Sequence, residues 1–109
     1  MSRYFPSSEE CGHHTIFGKV PIRTYAGDHM QISVVDIPAE GIVDWHFHAN
    51  EQMGIVVFGS ALFHVGEEVK ELHAGDVYWI PGHVRHKVVP VGGPAQAIDF
   101  FYPIRDEYR

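Results

Sequence analysis

Short apolar and β-branched runs alternate with turn residues along the chain, whereas the 3.6-residue spacing of an amphipathic helix is nearly absent. The breaks between these runs carry Gly, Pro or Asp, as in AGDH, PAEG, HAGD, IPGH and VGGP. The pattern predicts strands at residues 15–18, 20–25, 30–37, 42–48, 52–58, 60–65, 69–72, 77–80, 84–90 and 95–102. Many short strands at this spacing are typical of an all-β sandwich or barrel, with a short helix at most near residues 7–11 or at the C-terminus.

Composition and length limit the classes of function. The 109 residues predict a single domain, 1–109, and the 45% apolar share is enough for a modest core. The net charge of −6 argues against nucleic acid as a partner, and no apolar run is long enough to cross a membrane. The N-terminal stretch lacks the apolar segment of a secretory signal, and the single Cys11 cannot form an internal disulfide, so we expect a cytoplasmic protein.

The stretch WHFHANEQMG, residues 45–54, concentrates polar chemistry in front of an apolar run. Side chains alternate between the faces of a strand. A strand over 42–48 therefore has Asp44, His46 and His48 on one face and Val43, Trp45 and Phe47 on the other. Two imidazoles on one face can chelate a first-row divalent ion, which makes metal binding one interpretation of this stretch.

The third ligand could come from either of two neighbouring residues, Glu51 or Gln52. Gln52 lies four residues past His48 on the next predicted strand, and His86 follows a Pro-Gly turn further along the chain. Nine histidines are present, and His also occurs on protein surfaces without any metal. We expect solvated or hydrogen-bonded side chains at the remaining positions, which are His13, His14, His29, His64 and His73, whereas His83 could border the site.

Two motifs in this sequence resemble those of the cupin superfamily. The first family motif is matched by Gly41, His46, His48, Gln52 and Gly59, with one residue fewer before the first His. The second is matched by Gly75, Pro81 and His86, whereas His83 replaces a motif Gly and Pro90 stands where the family has Asn. The resemblance covers about residues 30–102, and it implies a small double-stranded β-helix, the jelly-roll barrel.

The resemblance also implies a metal site. Its ligands would be His46, His48, Gln52 and His86, holding a divalent ion such as Zn, Ni, Fe, Co or Mn. Glu51 is then one residue out of phase and points to the other face. A neutral Gln leaves the site one charge more positive than a Glu would, which favours Lewis-acid work on an anionic ligand.

The C-terminal stretch AIDFFYPIRDEYR narrows the resemblance further. On a strand over 95–102, Ala95, Ala97, Asp99 and Phe101 share one face, so Asp99 and Phe101 are expected to project into the metal-containing cavity. The spacing D-x-F-x3-R, completed by Arg105, is similar to that of KdgF-type cupins of pectin and alginate breakdown. That resemblance implies conversion of 4,5-unsaturated monouronates to the open-chain keto form.

In that reaction Asp99 would move protons, Arg105 would clamp the substrate carboxylate, and Phe101 would stack on the sugar ring and exclude water. Two alternatives stay open, a metal-dependent dioxygenase and a non-catalytic module that binds or senses a sugar. The partner in each case is a small molecule, for the leading interpretation an acidic sugar. The two apolar strand faces also favour a homodimer, with Trp45 and Phe47 meeting either the second sheet or a partner subunit.

Overall fold

The computed structural model describes residues 2–109, which form ten strands in two antiparallel sheets. The strands are β1 Gly12–Ile16, β2 Val20–Ala26, β3 Gln31–Ile37, β4 Val43–His46, β5 Glu51–Phe58, β6 Ser60–Val65, β7 Glu68–His73, β8 Val77–Ile80, β9 His86–Pro90 and β10 Ala95–Tyr102. The larger sheet has the order β1-β2-β3-β10-β5-β8, and the smaller has the order β4-β9-β6-β7. The expected all-β jelly-roll architecture is confirmed.

The helical content of the described residues is two short 3₁₀ helices, Ser8–Glu10 and Asp106–Tyr108. They lie at the two places where the sequence allowed a short helix. No helix within residues 2–109 has the length and apolar character needed to cross a membrane.

The two sheets face each other and enclose the core. Its buried side chains come from both layers and are almost entirely aliphatic: Val20, Ile22, Val35, Ile37, Val43, Val56, Ala61, Phe63, Leu72, Val88 and Ala95. On β10, burial alternates as predicted, because Asp99 and Phe101 are buried whereas Phe100 and Tyr102 are exposed. Removing one such aliphatic side chain from water contributes roughly 1.5–3 kcal/mol, so the inward set fixes the strand register.

Two strand predictions near the metal motif are wrong at their ends. The strand predicted over 42–48 stops at His46, and its pairing with β9 is irregular between Val43 and His46. The strand predicted over 84–90 begins at His86, because a turn occupies the preceding residues. His48 is therefore outside a regular strand, and strand alternation does not explain why it lies on the same side as His46.

The first predicted strand is also displaced. It was expected over 15–18, but the structure has it at Gly12–Ile16, followed by a turn in which Phe17 and Gly18 have positive φ angles of 50° and 81°. Glycine tolerates that backbone conformation, so the FG pair marks the turn and not the middle of a strand. The other predicted strands differ from the observed ones by one residue at most at either end.

The outer face of the larger sheet is apolar over the four neighbouring strands β3, β10, β5 and β8. Side chains that point outward in adjacent positions are Ile32, Val34, Met53, Ile55, Val77, Trp79, Ile98 and Phe100. Val77 and Trp79 are 69% and 57% exposed, and polar or charged residues such as Asp36 and Glu51 lie at the margin. Trp45 and Phe47 are also exposed, at 39% and 63%, so neither is buried against the second sheet.

Candidate functional site

Three histidines meet at one end of the space between the sheets. His46 on β4 pairs directly with His86 on β9, and their ring centroids are 4.1 Å apart. His48 lies two residues beyond the end of β4, with its ring centroid 5.1 Å from that of His86. One nitrogen from each ring lies within 4.8 Å of the others, so these histidines could together hold a metal ion.

Main-chain carbonyl groups determine which nitrogen of each neutral histidine ring carries the proton. In all three residues Nδ1 lies next to a main-chain carbonyl oxygen. The pairs are His46 with Asp44 at 2.8 Å, His48 with Asn50 at 3.0 Å, and His86 with Val84 at 2.9 Å. A carbonyl only accepts, so Nδ1 carries the proton and donates, which leaves the Nε2 lone pair of each neutral ring free for a metal.

Electrostatics favour the neutral rings that a metal requires. Burial lowers the pKa of His46 and of His48 below the ordinary value, and it lowers the pKa of His86 to about 4. The positive charge of Arg105 lowers the pKa of all three histidines further. Nε2 of His86 is buried and has no hydrogen-bond partner within residues 2–109, which is costly for a polar atom unless a ligand satisfies it. The donor set therefore fits a divalent ion.

Gln52 and Glu51 point to opposite faces of β5. Gln52 is 6% exposed, and its Oε1 lies 3.0 Å from Nε2 of His48. Glu51 is exposed, and its carboxylate accepts a hydrogen bond from Nε1 of Trp79 at 2.9 Å on the outer face. The structure thus places Gln52 beside the histidines and Glu51 away from them, as the motif spacing implied.

Asp99 is a buried carboxyl group next to this cluster. It is 8% exposed, and its Oδ1 accepts a hydrogen bond from the Tyr78 hydroxyl at 2.5 Å. Burial raises the pKa of Asp99 to about 6, although hydrogen bonds from Tyr78 and Gln52 and the charge of Arg105 act in the opposite direction. A carboxyl group with this pKa populates both protonation states near neutrality, as a general acid or base must.

Arg105 brings a positive charge to the same cavity. Its guanidinium carbon lies 5.3 Å from the Phe101 ring centroid and 4.7 Å from that of Tyr108. Nη2 lies 3.9 Å from a carboxylate oxygen of the exposed Glu107, but Nε is buried without a hydrogen-bond partner within residues 2–109. The Phe101 ring also packs edge-on against His48 at 5.5 Å.

A buried glutamine that the sequence did not single out holds the Arg105 segment in place. Gln31 is 2% exposed, and its Oε1 accepts a hydrogen bond from the main-chain N–H of Arg105 at 2.9 Å. Its Nε2 donates to the carbonyl oxygens of Arg105 at 3.3 Å and of Tyr108 at 3.0 Å. The two partners are 74 residues apart in sequence, so no local pattern could have linked them.

These residues surround a cavity of about 180 Å³. Six of the seven residues predicted for the site line it, namely His46, Gln52, His86, Asp99, Phe101 and Arg105. His48 is beside the lining, where it contacts Gln52 and Phe101. The cavity is smaller than the roughly 300–1,000 Å³ of pockets for drug-sized ligands, which favours a small ligand.

The turn after β8 supports His48 through its backbone. The N–H of His83 donates to the carbonyl of His48 at 2.7 Å. A Cβ on Gly82 would lie 2.5 Å from the carbonyl oxygen of Ala49, so only glycine permits this close approach. The His83 side chain is exposed and is not among the residues that line the cavity.

The other histidines lie elsewhere. His64 packs edge-on against Trp45 at 5.5 Å, and His73 pairs with Glu71 at 2.8 Å on the surface. His14 has its Nε2 3.2 Å from the carbonyl oxygen of Arg109. Within residues 2–109, the group of possible metal-binding histidines is limited to the three at the cavity.

Comparison with known proteins agrees with this geometry. The cupin domain family matches residues 33–101, which is more than half of the chain and lies within the 30–102 range that carries the motifs. None of the curated proteins matches the sequence.

Several solved structures share the fold. An RmlC-like cupin from Shewanella frigidimarina NCIMB 400 is 25% identical, with a TM-score of 0.87 over 99% of this chain and 97% of that one. KdgF from Halomonas sp. is 23% identical, with a TM-score of 0.84 over 97% and 98% of the two chains. A predicted oxalate decarboxylase from Thermotoga maritima is 16% identical, with a TM-score of 0.77 over 92% and 99%. With its two sheets, its three converging histidines and this family match, the chain belongs to the cupin family.

Proposed function

We propose that this protein is a metal-dependent enzyme that opens the ring of 4,5-unsaturated monouronates and delivers the linear keto form. The observation that carries the proposal is the meeting, in one small cavity, of a neutral three-histidine cluster, a buried carboxyl group with a pKa of about 6 and an arginine. The resemblance to KdgF-type cupins, based on four predicted ligands and the three residues Asp99, Phe101 and Arg105, supports the same reaction.

The substrate class follows from charge and size. A monouronate carries one carboxylate, and Arg105 presents a guanidinium with an unsatisfied, buried Nε in the cavity wall. A guanidinium recognises a carboxylate through paired, charge-assisted hydrogen bonds. The net charge of −6 does not favour an anionic ligand, so the local positive charge has to provide the attraction. A cavity of about 180 Å³ suits one sugar ring and excludes a polymer.

His46, His48 and His86, with Gln52 as the fourth ligand, would hold a divalent ion. When bound, that ion supplies a Lewis acid that stabilises negative charge developing on a substrate oxygen. The other contributions to catalysis come from side chains of the protein. The Phe101 side chain provides an apolar wall for the sugar ring and reduces access of water.

The reaction is an isomerisation, so it requires no oxidant or second substrate. The hydroxyl on C1 loses its proton, the C1–O5 bond breaks to give the C1 aldehyde and an enolate on O5, and one proton is added to C4 as the enolate becomes the C5 ketone. Asp99 can take up the first proton as a carboxylate and deliver a proton to C4 as a carboxylic acid, because its pKa of about 6 makes both states accessible.

The direct test follows loss of the enol-ether absorbance of a 4,5-unsaturated monouronate in the presence of metal-loaded protein. We expect acceleration over the spontaneous reaction, and a loss of roughly 100-fold or more in kcat for Asp99→Asn. His29→Ala is a matched control, because His29 is exposed between β2 and β3 and away from the cavity. Substrate binding without turnover would support a binding module, and oxygen consumption would support a dioxygenase.

We further propose that a second copy of the chain covers the apolar outer face of the larger sheet. Two copies with a net charge of −6 repel each other over most of their surfaces. The eight outward side chains of that face carry no charge, so two copies can approach there without placing like charges opposite each other. An apolar centre with a polar margin is also the usual organisation of a homodimer interface.

A further inference from the structure

A glycine in the middle of β5 opens a path between two polar residues on the neighbouring strands. Gly54 is directly opposite Asp99 of β10 on one side and Tyr78 of β8 on the other. Adjacent strands are about 4.8 Å apart, so Tyr78 and Asp99 are separated by two strand spacings, a distance that a long tyrosine side chain can span. A Cβ on Gly54 would overlap the phenol ring and hydroxyl of Tyr78.

The Tyr78 side chain uses this path. Its hydroxyl donates to Oδ1 of Asp99 at 2.5 Å, and its ring packs against Phe63 with centroids 4.5 Å apart. Burial, and next the nearby Asp99 carboxylate, raise the pKa of Tyr78 well above its ordinary value, so the hydroxyl keeps its proton and acts as a donor. Gln52 and Asp99 are diagonal neighbours on the inward face of the paired strands β5 and β10, both line the cavity, and a hydrogen bond from the Gln52 side chain acts to lower the pKa of Asp99.

This second hydrogen bond determines how the Gln52 amide is oriented. A carboxylate only accepts, so the amide nitrogen of Gln52 must face Asp99 and the amide oxygen must face the other way. On that other side Oε1 lies 3.0 Å from Nε2 of His48. Nδ1 of the neutral His48 ring donates to the carbonyl of Asn50, so Nε2 carries a lone pair and cannot donate to Oε1.

Two acceptor atoms at this separation are suited to sharing a cation. An imidazole nitrogen and an amide oxygen are both ligand types for divalent ions, so one bound ion would satisfy the two lone pairs that lie 3.0 Å apart.

We propose that Tyr78 is a positioning residue for the metal site: through Asp99 it holds the amide of Gln52 with its oxygen towards the metal, in a space that Gly54 leaves open. This inference rests on the proposed metal centre and extends it by two residues, Tyr78 and Gly54. Partners one step removed from a metal typically change its affinity by about 10- to 100-fold when removed. Tyr78 acts through two intervening side chains, so we expect an effect near the lower end of that range.

The test is a double-mutant cycle read by cobalt binding. Co²⁺ is titrated into metal-free wild type, Tyr78→Phe, Gln52→Ala and the double variant, and the visible ligand-field bands report both affinity and coordination. We expect Tyr78→Phe to lower the affinity roughly tenfold and to shift the bands. In the Gln52→Ala background the same change should have no further effect, because the group it positions is gone.

Two comparisons separate positioning from a general structural role. Tyr102→Phe is the matched control, since Tyr102 is 58% exposed on the outer side of β10, and it should leave affinity and bands unchanged. Gly54→Ala should reproduce Tyr78→Phe by displacing the phenol, and if it does not fold, Tyr78→Phe alone decides. Additive losses in the double variant, or unchanged bands in Tyr78→Phe, overturn the inference while leaving the metal centre intact. Failure of the wild type to bind Co²⁺ overturns the metal centre itself and the inference with it.

Discussion

The side-chain oxygen of Gln52 lies 3.0 Å from Nε2 of His48, although neither atom can donate a proton to the other in the neutral ring form that the backbone selects. Two lone pairs that face each other in a site with little solvent are unfavourable unless a positive group lies between them. The same atoms are two of the four predicted metal ligands. Removing the metal should therefore destabilise this site, and replacing any one of the ligands should measurably lower the metal affinity.

We predict that Gln52→Ala lowers metal affinity by roughly tenfold or more, because it removes one oxygen donor from the cluster. Glu51→Ala is the matched control from the adjacent position. Its carboxylate is bonded to Trp79 on the outer face, so its removal should leave metal content nearly unchanged. Metal content after dialysis against a graded chelator measures both. Loss of metal in Glu51→Ala with retention in Gln52→Ala would show that the assigned register is wrong.

The pH dependence of folding stability should separate Asp99 from the histidines. The pKa of His86 is lowered from 6.5 to about 4, so the unfolded chain binds its proton more readily and the free energy of unfolding falls as pH drops from about 6.5 to 4. The pKa of Asp99 is raised from 3.8 to about 6, so the folded state takes up its proton first. At neutral pH the buried Asp99 carboxylate destabilises the folded state, and this effect disappears as pH drops from about 6 to 4. The two effects are opposite in sign, and each is about 3 kcal/mol.

Asp99→Asn should therefore make the metal-free protein more sensitive to acid. Between pH 7 and 4, the free energy of unfolding of the variant should fall by up to about 3 kcal/mol more than that of the wild type, because only the histidine effect is left. Urea unfolding in the presence of a chelator, at closely spaced pH values, measures the difference. Parallel pH profiles for the two proteins would contradict the raised pKa of Asp99.

Arg105→Lys should impair substrate binding more than the chemical step. Lysine keeps the charge but cannot present the planar fork that matches a carboxylate, and the cost of one charged hydrogen bond is about 1.5–3 kcal/mol. We expect KM for the monouronate to rise roughly tenfold, with a smaller change in kcat. Arg109→Lys is the control, because Arg109 pairs with the exposed Asp106 at 2.7 Å outside the cavity. A fall in kcat with unchanged KM would assign Arg105 to the chemical step.

Much of the candidate site could be predicted because it depends on short-range spacing. Gln52 lies at the position that the spacing from His48 requires. Glu51 is one residue earlier, so on a strand the side chains of Glu51 and Gln52 point to opposite faces. The location of His48 beside His46 was predicted from strand alternation, but the strand ends before His48. It reaches the cluster from an irregular segment that is supported by the Pro81–Gly82–His83 turn, and strand alternation says nothing about such a segment.

Residues that act across the fold were missed for physical reasons. Gln31 supports Arg105 from 74 positions away, and its neighbours in the sequence give no indication of that contact. Tyr78 reaches Asp99 only because three strands are in register at Gly54. A local signal did exist there, since glycine inside a strand often marks a close approach by another group, but it does not identify that group.

The apolar outer face of the larger sheet gives the last prediction. If a second copy covers it, a charge placed within it should separate the copies, because a buried unpaired charge costs several kcal/mol. Val77→Lys introduces that charge at a position that is 69% exposed in the single chain, so folding itself should be little affected. The control is Val69→Lys, since Val69 is 53% exposed but lies on β7 of the other sheet. Sedimentation should show a dimer for the wild type and Val69→Lys and a monomer for Val77→Lys. A monomeric wild type would contradict the proposed dimer, and a dimeric Val77→Lys would place its interface on another surface.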